Sequence, residues 1–336
     1  MTCALFGAIS GSSSASIAAI GQIMIPRMKK EGYPEGHATA LVACSSVLAL
    51  LIPPSIPMII FSITGGLSVG AAFLSTIIPG IMLTIIYCGL NFWFLRNNTE
   101  IKVEPALPFK QAVRGVVHSG NKAFFALLMP IIILGAIYSG IATPTEAAAI
   151  AVIYAIPVSL MVYKGLTFRT LGSATVRAVV MTGSIMAVLF FLFIMSRAMI
   201  LEQVPKQLAE ALLDISEHKL VILLVINLLL LLIGMIVDDI SGGVLAAIIF
   251  LPVVTELGIH PIHFAAIVGV NLGLGNVSPP CAPMLYMAGG VAKLPLDKYI
   301  VPTVKLLFFG HLPMVLLVTF VPDLALYLPR LLMGIE

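Results

Sequence analysis

Long apolar runs separated by short polar connections set the pattern of this chain. The runs at 147–163, 178–195 and 220–237 are each long enough to cross a hydrocarbon core of ~30 Å as α-helix. The spanning strands of a β-barrel would instead be short segments of alternating polarity. The pattern therefore predicts an all-α, polytopic membrane protein.

Composition supports a lipid environment. Hydrophobic residues make up 60% of the 336 residues and charged residues only 10%, whereas a soluble domain carries about 25% charged residues. The net charge of +3 does not indicate a nucleic-acid partner. Four cysteines are scattered without the spacing of a zinc or iron–sulfur site, so we interpret them as packing residues, with Cys281 also a candidate site residue.

A stretch near the start of the chain recurs near its end without a gap. Ten residues between positions 26 and 58 are repeated 226 positions later, against ~3 expected by chance in a chain of this composition. The ten residues of the first copy are Pro26, Gly32, His37, Ala40, Val42, Leu48, Pro53, Pro54, Pro57 and Met58. Each copy places a Pro-Pro-x-x-Pro element, at 53–57 and 279–283, inside an apolar run. Paired proline-broken segments in two halves of a membrane protein indicate a transporter's binding site.

The distribution of lysine and arginine predicts that the two copies are inverted. Arg27, Lys29 and Lys30 lie just after Pro26, whereas the equivalent loop at 253–256 contains neither lysine nor arginine. Basic loops stay on the cytoplasmic side. Equivalent loops of the two copies are therefore predicted to face opposite sides of the membrane.

Two re-entrant hairpins follow from this topology. In the second copy, 220–237 enters from outside, 238–243 forms the tip, and 244–254 returns. By symmetry 10–16 is the tip of a first hairpin that rises from the cytoplasm and returns through 17–28. Its entering limb would lie mostly before Met1, so we expect the chain to be part of a longer protein.

The predicted organisation has four parts. They are a first transport element at 1–70, connecting and scaffold helices at 71–219 with a cytoplasmic loop at 96–122, a second transport element at 220–299, and a C-terminal membrane helix at 300–336.

The hairpin tips and the proline breaks are the candidate site. Non-helical backbone at membrane depth is tolerated only where protein or a watery cavity surrounds it. Freed carbonyls at half-helix C-termini suit Na⁺, and N–H groups at half-helix N-termini suit a carboxylate. The alternative is that the small residues serve close helix packing and the prolines are simple kinks. The candidate Na⁺ ligands are Ser10, Ser12, Ser13 and Pro53 at one site and Asp238, Gly242, Gly243, Ser278 and Pro279 at a second; the candidate substrate residues are Ser14, Ser55, Asn276 and Cys281.

Asp238 and Asp239 are carboxylates at membrane depth if the second hairpin is real, and such groups are functional by default. The alternative is that they lie at an interface and cap the following helix. Adjacent residues point apart, so at most one should face an ion. An aspartyl enzyme ranks last, because its two carboxylates must share a proton across a substrate gap.

Two further motifs have structural interpretations. Thr143-Pro144-Thr145-Glu146 predicts a capping box at a helix start. His260 and His263 have a spacing that could bind metal, but no third ligand type clusters near them, so we interpret them as a loop pair.

Four motifs together resemble one family. The segments at 6–13, 52–57, 142–148 and 278–280 are similar to the large membrane subunit, DctM-type, of tripartite ATP-independent periplasmic (TRAP) transporters. The resemblance implies an elevator-type, Na⁺-coupled importer of organic acids in the bacterial inner membrane. It also implies two partners, a small membrane subunit and a periplasmic solute-binding protein.

The resemblance leaves the substrate and one rival open. C4-dicarboxylates, sugar acids and sialic acid are all compatible with it. The second break reads Ser278-Pro279-Pro280-Cys281-Ala282, where the family more often has Thr-Pro-Pro-Val-Gly, and this difference bears on substrate choice. The rival is a self-sufficient Na⁺- or H⁺-coupled carboxylate carrier or antiporter of the same architecture, without a binding protein.

Overall fold

Helices form every regular element of the described chain, which confirms the predicted fold class. The computed structural model describes residues 1–102, 108–216 and 218–335. Within these ranges seven helices are long and apolar enough to cross a membrane, or eight if the bent pair Glu35–Leu51 and Ile56–Thr64 is one span. The chain divides into a first unit, Met1–Ile101 with Leu192–Glu336, and a second unit, Lys102–Phe191.

The first repeat copy and the helix after it lie in the first unit. Its helices are α1 (Thr2–Ser10), α2 (Ser13–Ser16), α3 (Gln22–Lys30), α4 (Glu35–Ser46), α5 (Leu48–Leu51), α6 (Ile56–Thr64) and α7 (Val69–Leu95). A π-helical turn, Ile17–Gly21, joins α2 to α3.

The second unit contains a helix pair. The next helices are α8 (Phe109–Tyr138), α9 (Pro144–Pro157) and α10 (Phe168–Leu201), of which α10 continues beyond the unit. α8 packs against α9 around Ile133 and Ala147. The capping box predicted at the start of α9 is confirmed, because Thr143 Oγ1 accepts from Glu146 N at 3.3 Å and Glu146 Oε2 accepts from Thr143 N at 2.7 Å.

The polar connection before α8 is shorter than the predicted loop at 96–122. α7 ends at Leu95 and α8 already begins at Phe109, although the apolar span within α8 starts only at Val117. Charged residues at 110–122 therefore extend the helix beyond its apolar part rather than forming a loop. Residues 103–107 lie outside the described ranges. The other predicted boundaries stay predictions.

The rest of the first unit contains the second repeat copy together with the helices before and after it. Its helices are α11 (Val204–Ile215), α12 (Lys219–Ile236), α13 (Asp239–Leu245), α14 (Leu251–Glu256), α15 (Pro261–Val277), α16 (Pro283–Ala292), α17 (Ile300–Leu306), α18 (Leu312–Phe320) and α19 (Asp323–Met333). π-Helical turns join α13 to α14 and α17 to α18.

α12 and the α13–α14 segment form the predicted second hairpin. The chain turns at Val237 and Asp238, and each limb of the hairpin contains 18 residues, Lys219–Ile236 and Asp239–Glu256. The open ends of the two limbs lie close together. A Cβ on Gly258, just after α14, would lie 3.2 Å from the ammonium of Lys219 at the start of α12. α12 also packs closely along α15, where the Cα of Gly275 is 3.1 Å from a Cβ placed on Gly234.

The first hairpin has the same form with a shorter first limb. α1 contains nine residues and ends at Ser10, and the C-cap residue Gly11 takes a left-handed conformation with φ of 62°. Met1 lines one cavity together with Met28 and Tyr33, so the start of α1 and the end of α3 lie at the same end of the unit.

Both proline breaks have matching backbone. Ile52 and its repeat equivalent Ser278 are extended residues that end α5 and α15, with φ and ψ of −97° and 112° and of −89° and 124°. Each is followed by a cis Pro-Pro bond, Pro53–Pro54 and Pro279–Pro280.

The two copies run in opposite directions relative to α7. Near its start Ala71 packs with Ile262, four residues after Gly258. Beyond its other end the backbone carbonyl of Glu100 lies directly against Gly32. A helix of 27 residues is about 40 Å long, so Gly32 and its repeat equivalent Gly258 lie at opposite ends of the unit, as the inverted topology predicts.

Candidate functional site

The tips of the two hairpins meet at a hydrogen bond inside the first unit. The Ser13 hydroxyl donates to Asp239 Oδ2 at 2.8 Å, and the two residues are 226 positions apart, the spacing of the repeat. Ser13 is fully buried and Asp239 is 8% exposed. The contact therefore joins equivalent positions of the two copies.

The same carboxylate also binds the second proline break. Asn276, in the last turn of α15, donates its side-chain N–H to Asp239 Oδ1 at 2.8 Å. Both oxygens of Asp239 thus accept from buried donors, one from each repeat copy. A carboxylate in this position is held by charge-assisted hydrogen bonds, which are the strong kind.

Three buried side-chain oxygen atoms at or near the two proline breaks have no hydrogen-bond partner in the part of the chain that the structure describes. Asn276 Oδ1, Ser55 Oγ at the first break and Ser62 Oγ on α6 have no hydrogen-bond partner among the described residues. Nearly all buried polar atoms in proteins are paired, so an unpaired one points to strain, an unseen water or an ion. Asn276 Oδ1 and Ser55 Oγ are oxygen atoms of the kind that a hard cation prefers.

The residues just before Ser13 and Asp239 explain why the chain turns at each hairpin tip. Ser12 and Asp238 are also repeat equivalents, and each is the N-cap of the returning limb. Ser12 Oγ accepts from Ala15 N at 3.4 Å, and Asp238 Oδ2 accepts from Ile240 N at 3.1 Å. Such caps satisfy helix N–H groups that have no partner within the helix.

Both tips pack against the first proline break. The Ile56 N–H donates to Gly11 O at 3.2 Å, and a Cβ on Gly11 would lie 2.7 Å from Pro54 O. From the other copy, a Cβ on Gly243 would lie 3.6 Å from Pro57 O. Tip residues without side chains thus allow both hairpins to approach the broken backbone.

The other serine candidates of the first tip form a local chain of contacts. Ser12 Oγ lies 3.0 Å from Ser14 Oγ, and Ser12 N donates to Ser10 Oγ at 3.5 Å. Ser10, Ser12 and Ser14 are partly exposed, whereas Pro53 is buried. The hydroxyls of Ser10, Ser12 and Ser14 therefore remain available to a ligand beside the buried cluster.

The Ser278, Pro279 and Cys281 candidates of the second break form no hydrogen bond with Asp239 among the described residues. Ser278 Oγ donates to Leu274 O of its own helix at 2.7 Å, Pro279 is partly buried, and Cys281 is exposed. Gly242 packs under Leu272, whose side chain would lie 2.8 Å from a Cβ placed there. Asn276, predicted as a substrate residue, is the candidate near this break that binds the carboxylate.

Asp239 is the residue that the sequence interpretation did not choose. Asp238 was the candidate ligand, but its side chain is exposed and caps α13, while Asp239 points inward. The expectation that at most one of the pair faces inward fits this arrangement. The repeat spacing relates Ser13 to Asp239 and Ser12 to Asp238, and both serines are candidates, so the spacing alone does not choose between the two acids.

The two histidines have structural partners. His260 is the N-cap of α15, where its Nδ1 accepts from Ile262 N at 3.1 Å, and partial burial lowers the pKa of His260, which favours the neutral ring that accepts this bond. His263 Nε2 lies 2.8 Å from Val318 O. Among the described residues no three histidine, cysteine or acidic side chains form a metal-binding group.

Inverted repeats with paired hairpins and broken helices define a secondary-transporter architecture. The family model for the DctM component of the tripartite ATP-independent periplasmic transporter matches residues 1–324. The chain belongs to this family, and the predicted resemblance is confirmed. It is a TRAP large permease and a multi-pass protein of the inner membrane.

Relatives with different substrates in their names are similar to nearly the whole chain. The isethionate TRAP transporter permease protein DctMQ of Oleidesulfovibrio alaskensis is 33% identical over 332 residues, which are 97% of this chain and 51% of that protein. The C4-dicarboxylate large permease DctM of Pseudomonas aeruginosa is 33% identical over 98% of the chain and 76% of its own length. The sialic acid large permease SiaM of Vibrio cholerae is 34% identical over 99% of the chain and 77% of its own length. The chain thus spans about half of the first relative and about three-quarters of the others.

Proposed function

We propose that this chain is the membrane permease of a Na⁺-coupled, binding-protein-dependent importer of organic acids that works by an elevator mechanism. The observation that carries the proposal is the buried Asp239 carboxylate, held by Ser13 and Asn276 where the two hairpin tips meet. Membership of the DctM family of TRAP large permeases also supports the proposal.

A monovalent hard cation suits the chemistry of the tips. A buried carboxylate is costly without a compensating charge, and the described residues place no lysine or arginine in ion-pair contact with Asp239. The unpaired oxygens Asn276 Oδ1 and Ser55 Oγ add neutral ligands of the right type. We therefore propose that Na⁺ is cotransported through a site that includes Asp239, with the hydroxyls of Ser10, Ser12 and Ser14 nearby.

An elevator mechanism is supported by the composition of the first unit. Both hairpins and both broken helices belong to the same compact unit. A substrate and its coupling ion bound among these elements would travel together if the unit moved across the membrane as one body. Rigid-body motion of one repeat assembly is a common route to alternating access.

Two observations support an acidic substrate: the relatives are named after acids, and two half-helices begin at the proline breaks. Isethionate, C4-dicarboxylate and sialic acid are all acids. Each break exposes the start of a half-helix, at Ile56 and at Pro283, and helix N-termini attract anions. We propose an organic acid, delivered by a periplasmic solute-binding protein, and a small membrane subunit as partner; the fused relative DctMQ fits such a subunit.

Reconstituted transport tests the proposal. Proteoliposomes containing the complete permease, its small subunit and its binding protein should accumulate labelled organic acid only with an inward Na⁺ gradient. Undiminished uptake with choline in place of Na⁺ would refute coupling. Equal uptake without the binding protein would favour the self-sufficient carrier instead.

A further inference from the structure

Three basic connections meet at one end of the first unit, opposite to Gly258. Gly32 lies against the backbone carbonyl of Glu100, and Gly36 lies against the backbone carbonyl of Lys298. The connection after α3 therefore contacts the segment after α7, and the start of α4 contacts the connection before α17. By the positive-inside rule this is the cytoplasmic end, because Arg27, Lys29 and Lys30 also lie there.

A cavity of about 270 Å³ opens at this end between α4, α7 and α17. Its walls include Gly36, Phe94 and Pro302, and two lysines, Lys298 and Lys305, also line it. Both lysines are exposed. The cavity is separate from the hairpin tips and takes no part in the proposed ion site.

The two lysines form no ion pair within the described structure. The nearby acids are used elsewhere, since Glu35 pairs with Lys29 and Glu31 pairs with Arg27 at 3.0 Å. Asp297 is next to Lys298 in sequence but forms no ion pair with either lysine. The cavity therefore presents two ammonium groups that favour an anion.

Aromatic side chains place the cavity at the level of the lipid headgroups. The rings of Trp93 and Phe94 are 5.2 Å apart, and Phe309 lies 6.1 Å from Trp93 and 6.2 Å from Phe94. Trp93 is 49% exposed, Phe309 48% and Phe308 60%. Exposed tryptophan and phenylalanine beside lysines are typical of the boundary between headgroups and acyl chains.

We propose that this cavity binds the phosphate headgroup of an anionic phospholipid of the cytoplasmic leaflet. Lys298 and Lys305 bind the phosphate, and the exposed rings of Trp93, Phe308 and Phe309 contact the acyl chains. Basic pockets between helices on the cytoplasmic side are known to bind anionic headgroups. A soluble phosphate has no use for the exposed rings, and this favours the lipid.

The position of Trp93 allows a direct test. The chain contains one tryptophan, so quenching of its fluorescence by a lipid with brominated acyl chains reports lipid beside Trp93, whose ring packs on Phe94 of the cavity wall. The purified chain is titrated in phosphatidylcholine with brominated phosphatidylglycerol, and separately with brominated phosphatidylcholine. We expect phosphatidylglycerol to quench at clearly lower mole fractions, with a preference that falls as salt is added.

The lysine variants separate a specific site from general attraction. Lys298→Gln with Lys305→Gln should weaken the phosphatidylglycerol preference by about fivefold for each lysine, about thirtyfold for the pair. Lys164→Gln with Lys206→Gln removes the same charge from exposed lysines that do not line the cavity and should leave the preference unchanged. Equal weakening in both double variants would overturn the site.

Two further measurements keep the test decisive. If the Lys298 and Lys305 variant loses its helical circular dichroism signal, it is not folded, and the parent chain is tested instead. A phosphatidylglycerol preference of the parent chain that does not change with salt would overturn the proposal. Glycerol phosphate at millimolar concentration should not relieve quenching in the parent chain. Relief would mean that the cavity takes a soluble anion, and it would overturn the lipid assignment. None of these readouts depends on transport.

Discussion

Ser13 and Asp239 occupy equivalent positions of the two repeat copies and are hydrogen-bonded to each other at 2.8 Å. A two-fold operation that exchanges the copies exchanges these positions, so the contact must lie close to the pseudo-two-fold axis. A carboxylate in both copies would place two negative charges within contact, and one would have to be protonated. Serine opposite aspartate gives one charge and one donor instead.

Asp239→Asn tests whether the buried carboxylate is the charge that matters. Asparagine has nearly the same shape but no charge, so Na⁺ dependence of uptake should shift to higher concentrations. Loss of a hydrogen bond or ligand contact to a charged group is worth about 1.5–3 kcal/mol, which is roughly tenfold to a hundredfold in affinity. The measurement is initial uptake against Na⁺ concentration in proteoliposomes.

Asp238→Asn is the matched control for the same charge change one residue away. Asp238 is exposed and caps α13 through backbone N–H groups, and asparagine caps helices about as well as aspartate. Uptake and its Na⁺ dependence should stay close to those of the parent. A larger effect at Asp238 than at Asp239 would contradict the assignment of the ion-facing carboxylate.

The repeat register explains how much of this site could be predicted from sequence. The register located both tips and both breaks, and it placed Ser13 and Asn276 among the candidates. It could not decide between Asp238 and Asp239 by itself, because which of two adjacent side chains faces inward depends on the N-cap geometry of Asp238. The spacing of 226 pairs Ser13 with Asp239 but also pairs Ser12, another candidate, with Asp238, so it leaves both acids open.

Contacts between segments distant in sequence could not be predicted from the sequence. The hydrogen bond of Asn276 to Asp239 and the packing of Gly243 on Pro57 depend on how the hairpins lie against the breaks. Local pattern carries no information on such distances. The early start of α8 at Phe109 was missed for another reason, because charged residues at a membrane surface are compatible with both loop and helix.

Ser13→Ala should destabilise the first unit by removing one donor to the buried carboxylate. Asp239 Oδ2 would lose the side-chain donor that Ser13 supplies, and an interaction of this type contributes about 1.5–3 kcal/mol. The measurement is thermal unfolding of the purified chain in detergent. Ser14→Ala, on the partly exposed neighbour, should change the midpoint much less, and equal shifts would argue against the cluster.

Gly11→Ala should disrupt the packing of the first hairpin tip against the first proline break. Alanine at a φ of 62° is strained by about 1–2 kcal/mol, and its Cβ would also lie 2.7 Å from Pro54 O. Gly66→Ala is the control, because Gly66 has a φ of 67° but no atom within 4 Å of an added Cβ. Unfolding midpoints should fall for both and further for Gly11, and uptake should be lost only at Gly11.

Accessibility of Lys30 and Glu256 tests the inverted topology. These positions are repeat equivalents, 226 residues apart, and both are exposed. They are better labelling sites than Gly32 and Gly258, since any side chain at Gly32 would overlap the carbonyl of Glu100. In a chain whose native cysteines are replaced, Glu256→Cys should react with a membrane-impermeant maleimide in intact cells, and Lys30→Cys only after permeabilisation. The four cysteines to be replaced are Cys3, Cys44, Cys88 and Cys281. Reaction of both positions from the same side would require a parallel repeat and would separate the two hairpin tips that Ser13 and Asp239 join.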